Sequence, residues 1–308
     1  MNAPEMTQST TKQPNAHLIG YLAEQPLHPG TGQALGAIDQ PVAREGGSKI
    51  PVIPGSSHKG SIKHAVTGGN DKDPFWALFG GTDNEGGVLF SDIRLILLPI
   101  RSSVGSYKWA TCPYLLERLA RDLKRTGYGC SFEVPAVPDD KVLTEGKTGG
   151  RIYLEELTFT IGGAVDETIR TELAKFIPAD DPYGKVAARL EKQLLIMSDD
   201  DFAWFARYGL PIYARNVLEK ETKKSRNLWY EEHLPADTLM YGIVAARGET
   251  DGKYADKENK IEGKSYNDFI ERLKGDEQKK IDPLQYLQIG GDETVGRGFC
   301  RLHVVKGA

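Results

Sequence analysis

The stretch 287–305, LQIGGDETVGRGFCRLHVV, decides the fold. Apolar residues flank a Gly-rich centre, which reads as strand, turn, strand. The centre holds four glycines, Gly290, Gly291, Gly296 and Gly298, with Thr294 and Arg297 among them. Glycine lets a backbone take positive φ or approach a ligand closely. The stretch is therefore either a plain Gly-rich hairpin or a loop laid against a ligand. Its GGDE run (290–293) suggests a nucleotide-cyclase turn, but Thr294 breaks that pattern.

Upstream, GSSHKGS (55–61) invites a P-loop reading and fails it, because Gly60 is followed by Ser61 and the lysine precedes it. The segment reads instead as a helix that starts at a Gly-Ser-Ser turn, with Ser56 or Ser57 as N-cap. Lys59 and Lys63 stand one turn apart on it. Free N–H groups, the positive end of the helix dipole and two ammonium groups make an anion site suited to phosphate. A solvated, capped helix face is the competing reading. His58 and His64 are wrongly spaced for a metal pair on one helical face. Around 208–235 a hairpin carries Lys223, Lys224 and Arg226, interleaved with Tyr213, Trp229 and Tyr230. Basic and aromatic residues on a projecting hairpin suit single-stranded nucleic acid, or are simply an exposed charged hairpin. In LHPGTGQALGAIDQPVARE (27–45) a lone acid, Asp39, sits in a Gly-rich loop, as turn chemistry or as the working group of a site.

Composition sets the bounds. The 308 residues are 39% hydrophobic and 27% charged, with a formal net charge of −4, so a nucleic-acid surface has to be local. No run approaches the ~20 apolar residues of a membrane span. The polar start does not look like a signal peptide, and residues 1–16 read as a disordered tail. Cys112, Cys130 and Cys300 are scattered, which suggests a reducing, cytoplasmic setting without a disulfide framework or zinc site. Strands are expected at 17–25, 87–100, 157–161, 211–219 and 237–246. Helices are expected within 111–127, 166–176, 182–197, 198–209 and 265–275, with Ser198 and Ser265 as caps. Residues 131–150 read as irregular and 247–264 as a flexible charged loop. The mixed order indicates an α+β fold.

The stretches LHPGTGQALGAIDQPVARE, IPVIPGSSHKGSIKHA (50–65), FGG (79–81), LLPIRS (97–102), WYEEHLP (229–235) and LQIGGDETVGRGF occur in this one order. Together they resemble the RAMP superfamily, specifically the backbone subunits of type III-B CRISPR (Cmr) effector complexes, from about residue 17 to 305. The resemblance implies a ferredoxin-like (RRM-like) palm with an inserted finger region and a protruding thumb hairpin. The whole forms a single RAMP domain over 17–308, with the thumb at 208–235. It implies crRNA and target RNA as partners, with further copies of the chain in a filament and other Cmr subunits. It implies metal-dependent endoribonuclease activity with Mg²⁺ or Mn²⁺, the alternative being a scaffold that binds RNA without cutting. Carried over by position, the essential acid and metal ligand falls on Asp39, and further catalytic candidates fall on His28, Tyr230 and Glu231. RNA binding falls on Ser56, Ser57, Lys59 and Lys63, on Gly290, Gly291, Thr294, Gly296, Arg297 and Gly298, and on the hairpin's Lys223, Lys224 and Arg226. One departure is Pro29, where the family often has a β-branched residue.

Overall fold

The structure, a computed structural model, describes residues 15–32, 38–81, 85–180, 182–256 and 261–306. Most of the expected N-terminal tail and part of the Gly-rich loop before Asp39 lie outside these residues. The chain opens with β1 (Ala16–Ala23), β2 (Val52–Ile53), α1 (Gly55–Thr67), β3 (Val88–Phe90) and β4 (Ile93–Arg101). A long insertion follows: β5 (Tyr107–Thr111), α2 (Pro113–Arg125), β6 (Lys141–Thr144), β7 (Arg151–Leu154), β8 (Leu157–Gly163), α3 (Glu167–Ala174), α4 (Tyr183–Ala188), α5 (Leu190–Gln193), β9 (Leu194–Met197) and α6 (Asp199–Tyr208). The chain then runs through β10 (Ile212–Leu218), β11 (Ser225–Glu232), β12 (Leu239–Ala246), β13 (Tyr254–Asp256), β14 (Ile261–Lys264), α7 (Tyr266–Lys274), β15 (Tyr286–Gln288) and β16 (Phe299–Val304).

The centre of the main sheet has the order β16-β1-β12-β4. β1 pairs antiparallel with β12, Leu18 facing Ile243, and with β16, Ile19 facing Val304. With α1 between β1 and β4, and α7 between β12 and β16, this is the βαββαβ order of a ferredoxin-like palm. The insertion prolongs the same sheet from β4 through β5, β9, β6, β8 and β7.

Both faces of the palm are buried, and β1 shows why its sequence reads as nearly all apolar. Ile19, Tyr21 and Ala23 join one core with Ile62, Val66 and Phe269 of α1 and α7. Leu18 and Leu22 join a second core with Leu116, Leu119 and Leu123 of α2. Period-two alternation sends each set to its own face. Gly20 is required by a close approach: a Cβ there would lie 2.1 Å from the Phe176 carbonyl oxygen. α2 is further tied to the sheet through buried Asp122, which accepts from Arg94 at 2.6 Å and from the Tyr241 hydroxyl at 2.7 Å.

Several expectations are corrected. The helix expected over 182–197 ends at Gln193, and Leu194–Met197 is a strand, parallel to β5 and antiparallel to β6. Four consecutive buried apolar residues carry no periodicity to separate strand from helix. The strand expected over 87–100 breaks at Ser91-Asp92, and Asp92 Oδ1 accepts from the Gly55 amide at 2.7 Å. That carboxylate takes the capping role expected of Ser56 or Ser57; the N-cap residue is Pro54, and no side chain of α1 itself caps the helix. The irregular 131–150 contains β6. The loop 247–264 contains the pair β13–β14, anchored by Tyr254, whose ring occupies the space a Cβ on Gly87 would fill. Its charged sequence carries no apolar alternation that would have revealed the pairing. Among the described residues no helix is long and apolar enough to cross a membrane.

Candidate functional site

β10 and β11 form their own two-stranded sheet, Tyr213 facing Glu231 and Arg215 facing Trp229. Away from the body of the protein both faces are open: Val217, Leu218 and Leu228 are exposed, as are Lys223, Lys224 and Arg226. Lys223 holds the turn at φ 56°. The hairpin's root is the opposite, since Glu231, Glu232, His233 and Leu234 are all buried.

The segment from Ile38 onward runs beside that root. Gln40 donates its amide to the Tyr230 carbonyl at 3.1 Å, and its own carbonyl accepts from the Glu232 amide at 3.0 Å. This register places Asp39 against β11, where its Oδ2 accepts from the Tyr230 amide at 2.8 Å while the side chain stays exposed. Glu232 holds the segment from inside: Oε1 takes Arg44 at 2.7 Å and Oε2 takes the Val42 amide at 3.0 Å. The acid of the Gly-rich loop is thus bonded to the hairpin's backbone. Of the WYEE motif, it is the backbone of Tyr230 that meets Asp39.

His28 is buried, with Nδ1 2.7 Å from the Glu232 carbonyl oxygen. Its own carbonyl accepts from the Gly291 amide at 3.0 Å, joining the first loop to the closing turn. That turn is shaped by the protein's own backbone. Gly290 has φ 85°, and a Cβ there would sit 2.4 Å from the His28 carbonyl oxygen; Gly298 has φ 76°, with the Ile289 carbonyl oxygen 2.1 Å from such an atom. Gly291, Thr294 and Gly296 are exposed, and Arg297 lies over the Tyr213 ring, 4.7 Å from its centroid.

Between hairpin root and closing turn, Glu231, His233 and Asp292 present ligand atoms within 4.8 Å of one another. His233 Nε2 lies 3.6 Å from Asp292 Oδ2 and 4.0 Å from Glu231 Oε2. The other Glu231 oxygen accepts from Trp229 Nε1 at 2.6 Å. Arg215 borders the group, 3.7 Å from Glu231 and 3.4 Å from Asp292. Burial, with Asp292 beside it, raises the Glu231 carboxyl above the ordinary range. Burial, then His28 and Arg297, lower His233 to about 4, so its imidazole is neutral. His233 and Asp292 were not singled out from sequence. The only signal was their place next to motifs that were: EEHLP and GGDET.

The start of α1 is a separate feature. Ser56 and Ser57 are exposed, and Lys63 Nζ sits 3.4 Å from the centre of the Trp76 ring. Burial and Lys59 lower the Lys63 pKa. Since Asp92 already takes the Gly55 amide, an anion there would meet the amides of Ser56 and Ser57 and the Lys59 ammonium. His58 on the same helix is buried, 2.7 Å from the Tyr21 hydroxyl and 2.8 Å from the Ser91 carbonyl oxygen, and belongs to the core.

The chain's resemblance to known proteins is extensive. The RAMP superfamily model matches residues 22–301. The chain is 31% identical over 299 residues to the CRISPR system Cmr endoribonuclease Cmr4 of Pyrococcus furiosus, covering 93% of this chain and 95% of that one. Among solved structures it resembles oligomeric Cmr4 from Pyrococcus furiosus, with a TM-score of 0.69, 23% identity and coverage of 96% and 100%. It also resembles a chain of the type III-B Cmr-beta complex bound to cognate target RNA, with a TM-score of 0.65, 18% identity and coverage of 94% and 97%.

Proposed function

We propose, from the premise that the chain belongs to the RAMP superfamily and within it to the Cmr4 family, that it is a backbone subunit of a cytoplasmic type III-B effector. Copies stack head-to-tail along a crRNA, and the chain cuts complementary target RNA at regular intervals. The heterologous, non-closing contact between copies is what generates a filament. The hairpin is the thumb that enters the guide–target duplex and forces a kink.

RNA brings its own nucleophile, the 2′-OH. Once O2′, phosphorus and O5′ are in line, cleavage needs positioning, charge relief at the phosphate and proton transfer. One observation carries the assignment of the acid: the Tyr230 amide holds exposed Asp39 at the root of the hairpin, 2.8 Å away. The hairpin that bends the target thus also positions the carboxylate. A divalent cation, Mg²⁺ or Mn²⁺, would supply charge relief. Asp39 fits a site of the kind where one or two carboxylates act with phosphate oxygens and water, and it would hold the ion on that basis. Acting as general base is its other available role. Ser56, Ser57, Lys59 and Lys63 would hold guide phosphates, with the exposed part of the closing turn alongside.

The test is Asp39→Asn against Asp39→Ala in the assembled complex with matched RNA and Mg²⁺. Asparagine keeps an acceptor for the Tyr230 amide and removes the charge. Cutting is expected to fall by at least ~10²-fold in both, with guide and target binding retained in Asp39→Asn. Loss of assembly in both variants would make Asp39 a brace for the hairpin, and unchanged cutting in Asp39→Asn would leave a scaffold role.

A further inference from the structure

We propose that Glu231, His233 and Asp292 form a buried site for one divalent transition-metal ion of the Mn²⁺, Co²⁺ or Zn²⁺ class, which staples the hairpin root to the closing turn. The assignment shares Glu231 with the catalytic candidates but does not involve Asp39, and it is read by metal binding, so it can fail or hold separately from the cleavage reading.

The first argument is geometric. Ligand atoms about 2.0–2.2 Å from a shared ion stand roughly 3–3.6 Å apart. His233 Nε2 is 3.6 Å from Asp292 Oδ2 and 4.0 Å from Glu231 Oε2, and all three ligand atoms lie within 4.8 Å, so the group closes on an ion by drawing in by up to about 1 Å. The second is unmet polarity. Glu231 Oε2 and both ring nitrogens of His233 are buried without a hydrogen-bond partner, in residues 2% and 1% exposed. Buried polar groups are normally satisfied, and an unsatisfied one is costly. Two of these atoms, Glu231 Oε2 and His233 Nε2, stand 4.0 Å apart, which indicates a missing partner shared by both. The third is charge. Two carboxylates meet one guanidinium, Arg215, which stands off at 3.7 and 3.4 Å. The two carboxylates would balance a dication, against the opposing charges of Arg215 and of Arg297, which already depresses His233.

One nitrogen and two carboxylate ligands favour transition metals over Mg²⁺, which prefers oxygen and water. Trp229 already fixes the other Glu231 oxygen at 2.6 Å, the kind of outer contact that orients a ligand. The competing arrangement has no ion: Arg215 and a proton shared by Glu231 and Asp292 would serve instead.

The experiment uses the full chain, stripped with chelator and titrated with Co²⁺. Visible absorption and calorimetry read the bound ion, and Mn²⁺ and Zn²⁺ serve in parallel. Wild type is expected to bind about one ion per chain and to melt at higher temperature with it. Binding should drop to background in His233→Ala and in Asp292→Asn. Asp292 is partly exposed and adopts φ 63°, which asparagine tolerates, so that variant keeps the fold. Asp39→Asn should bind as wild type does. Arg215→Gln should bind severalfold more tightly, because it removes the competing cation. The proposal is overturned if wild type binds no more than Asp292→Asn, or if Asp39→Asn abolishes binding. An Arg215→Gln variant that binds no tighter and shows no cobalt spectrum would assign the cluster to the shared proton.

Discussion

Asp39 and Tyr230 stand 191 residues apart in sequence and meet through one hydrogen bond. The contact uses the backbone of Tyr230, so Tyr230→Phe should leave the acid in place. The neighbouring glutamates differ in role although they share one motif. Glu231 turns toward His233 and Asp292, whereas Glu232 braces the Asp39 segment through Arg44 and the Val42 amide. Removing one partner of a buried ion pair leaves the other uncompensated. Glu232→Gln is therefore expected to lower unfolding stability by about 3 kcal/mol in denaturant melts. It should also reduce cutting without weakening guide binding, since it loosens the segment that carries Asp39. A Glu232→Gln chain as stable as wild type would show that Arg44 is adequately held by the Lys49 and Ala206 carbonyls, its other partners. Sequence made the acids of this motif visible, but not which way each one points. Alternation along β11 decides part of it, and the sharp change from exposed hairpin to buried root decides the rest.

At the scale of elements, the hairpin and α1 both offer basic groups at the surface. The hairpin's Lys223, Lys224 and Arg226 are exposed beyond the buried root. Neutralising phosphates releases counterions, and each lost contact lowers the slope of log K against log salt by roughly 0.7–0.9. Replacing all three by Gln should flatten the salt dependence of target-RNA binding by about 2 and weaken it uniformly across sequences. Lys59→Ala should do the same to guide binding by about 1. An unchanged slope, measured by filter binding over a salt series, would mean that these charges face solvent or a neighbouring subunit. The hairpin and the helices at 113–125 and 266–274 were readable because their patterns are local: turn residues, an apolar stripe, Ser265 at a cap. The strand Leu194–Met197 was not, because its register with β5 and β6 is what makes it extended.

At the scale of the whole molecule, the palm is a sheet with a core on each face, and His58 is built into its centre. It bonds to Tyr21 on β1 and to the Ser91 carbonyl, and it lies against Gly242 of β12, where a Cβ would be 2.7 Å from its ring. Burial lowers its pKa to about 4, with the Ser91 carbonyl and Asp92 offsetting part of the effect. His17, beside the Tyr266 hydroxyl, is lowered to about 4 as well, mainly by burial. Each is neutral in the fold and protonates in the unfolded chain near 6.5, so the unfolded state binds more protons between those values. The stability they contribute is present above pH 6.5 and is lost as pH falls toward 4. Between pH 7 and 5, His58 alone should cost about 2 kcal/mol of unfolding free energy. Chemical denaturation of wild type and His58→Asn over that range checks it, and equal pH slopes would refute it. By itself the sequence determined the family, the α+β class, the basic hairpin and the candidate acid, because these rest on local pattern and on the order of motifs along the chain. Only the tertiary structure decided that Asp39 is held by the hairpin and that Asp92 caps α1. It alone decided that two closing glycines answer to the protein's own backbone and that His233 meets Glu231 and Asp292. Each of these is a contact between segments far apart in the chain, and a one-dimensional pattern carries no record of which distant groups a fold brings within bonding distance.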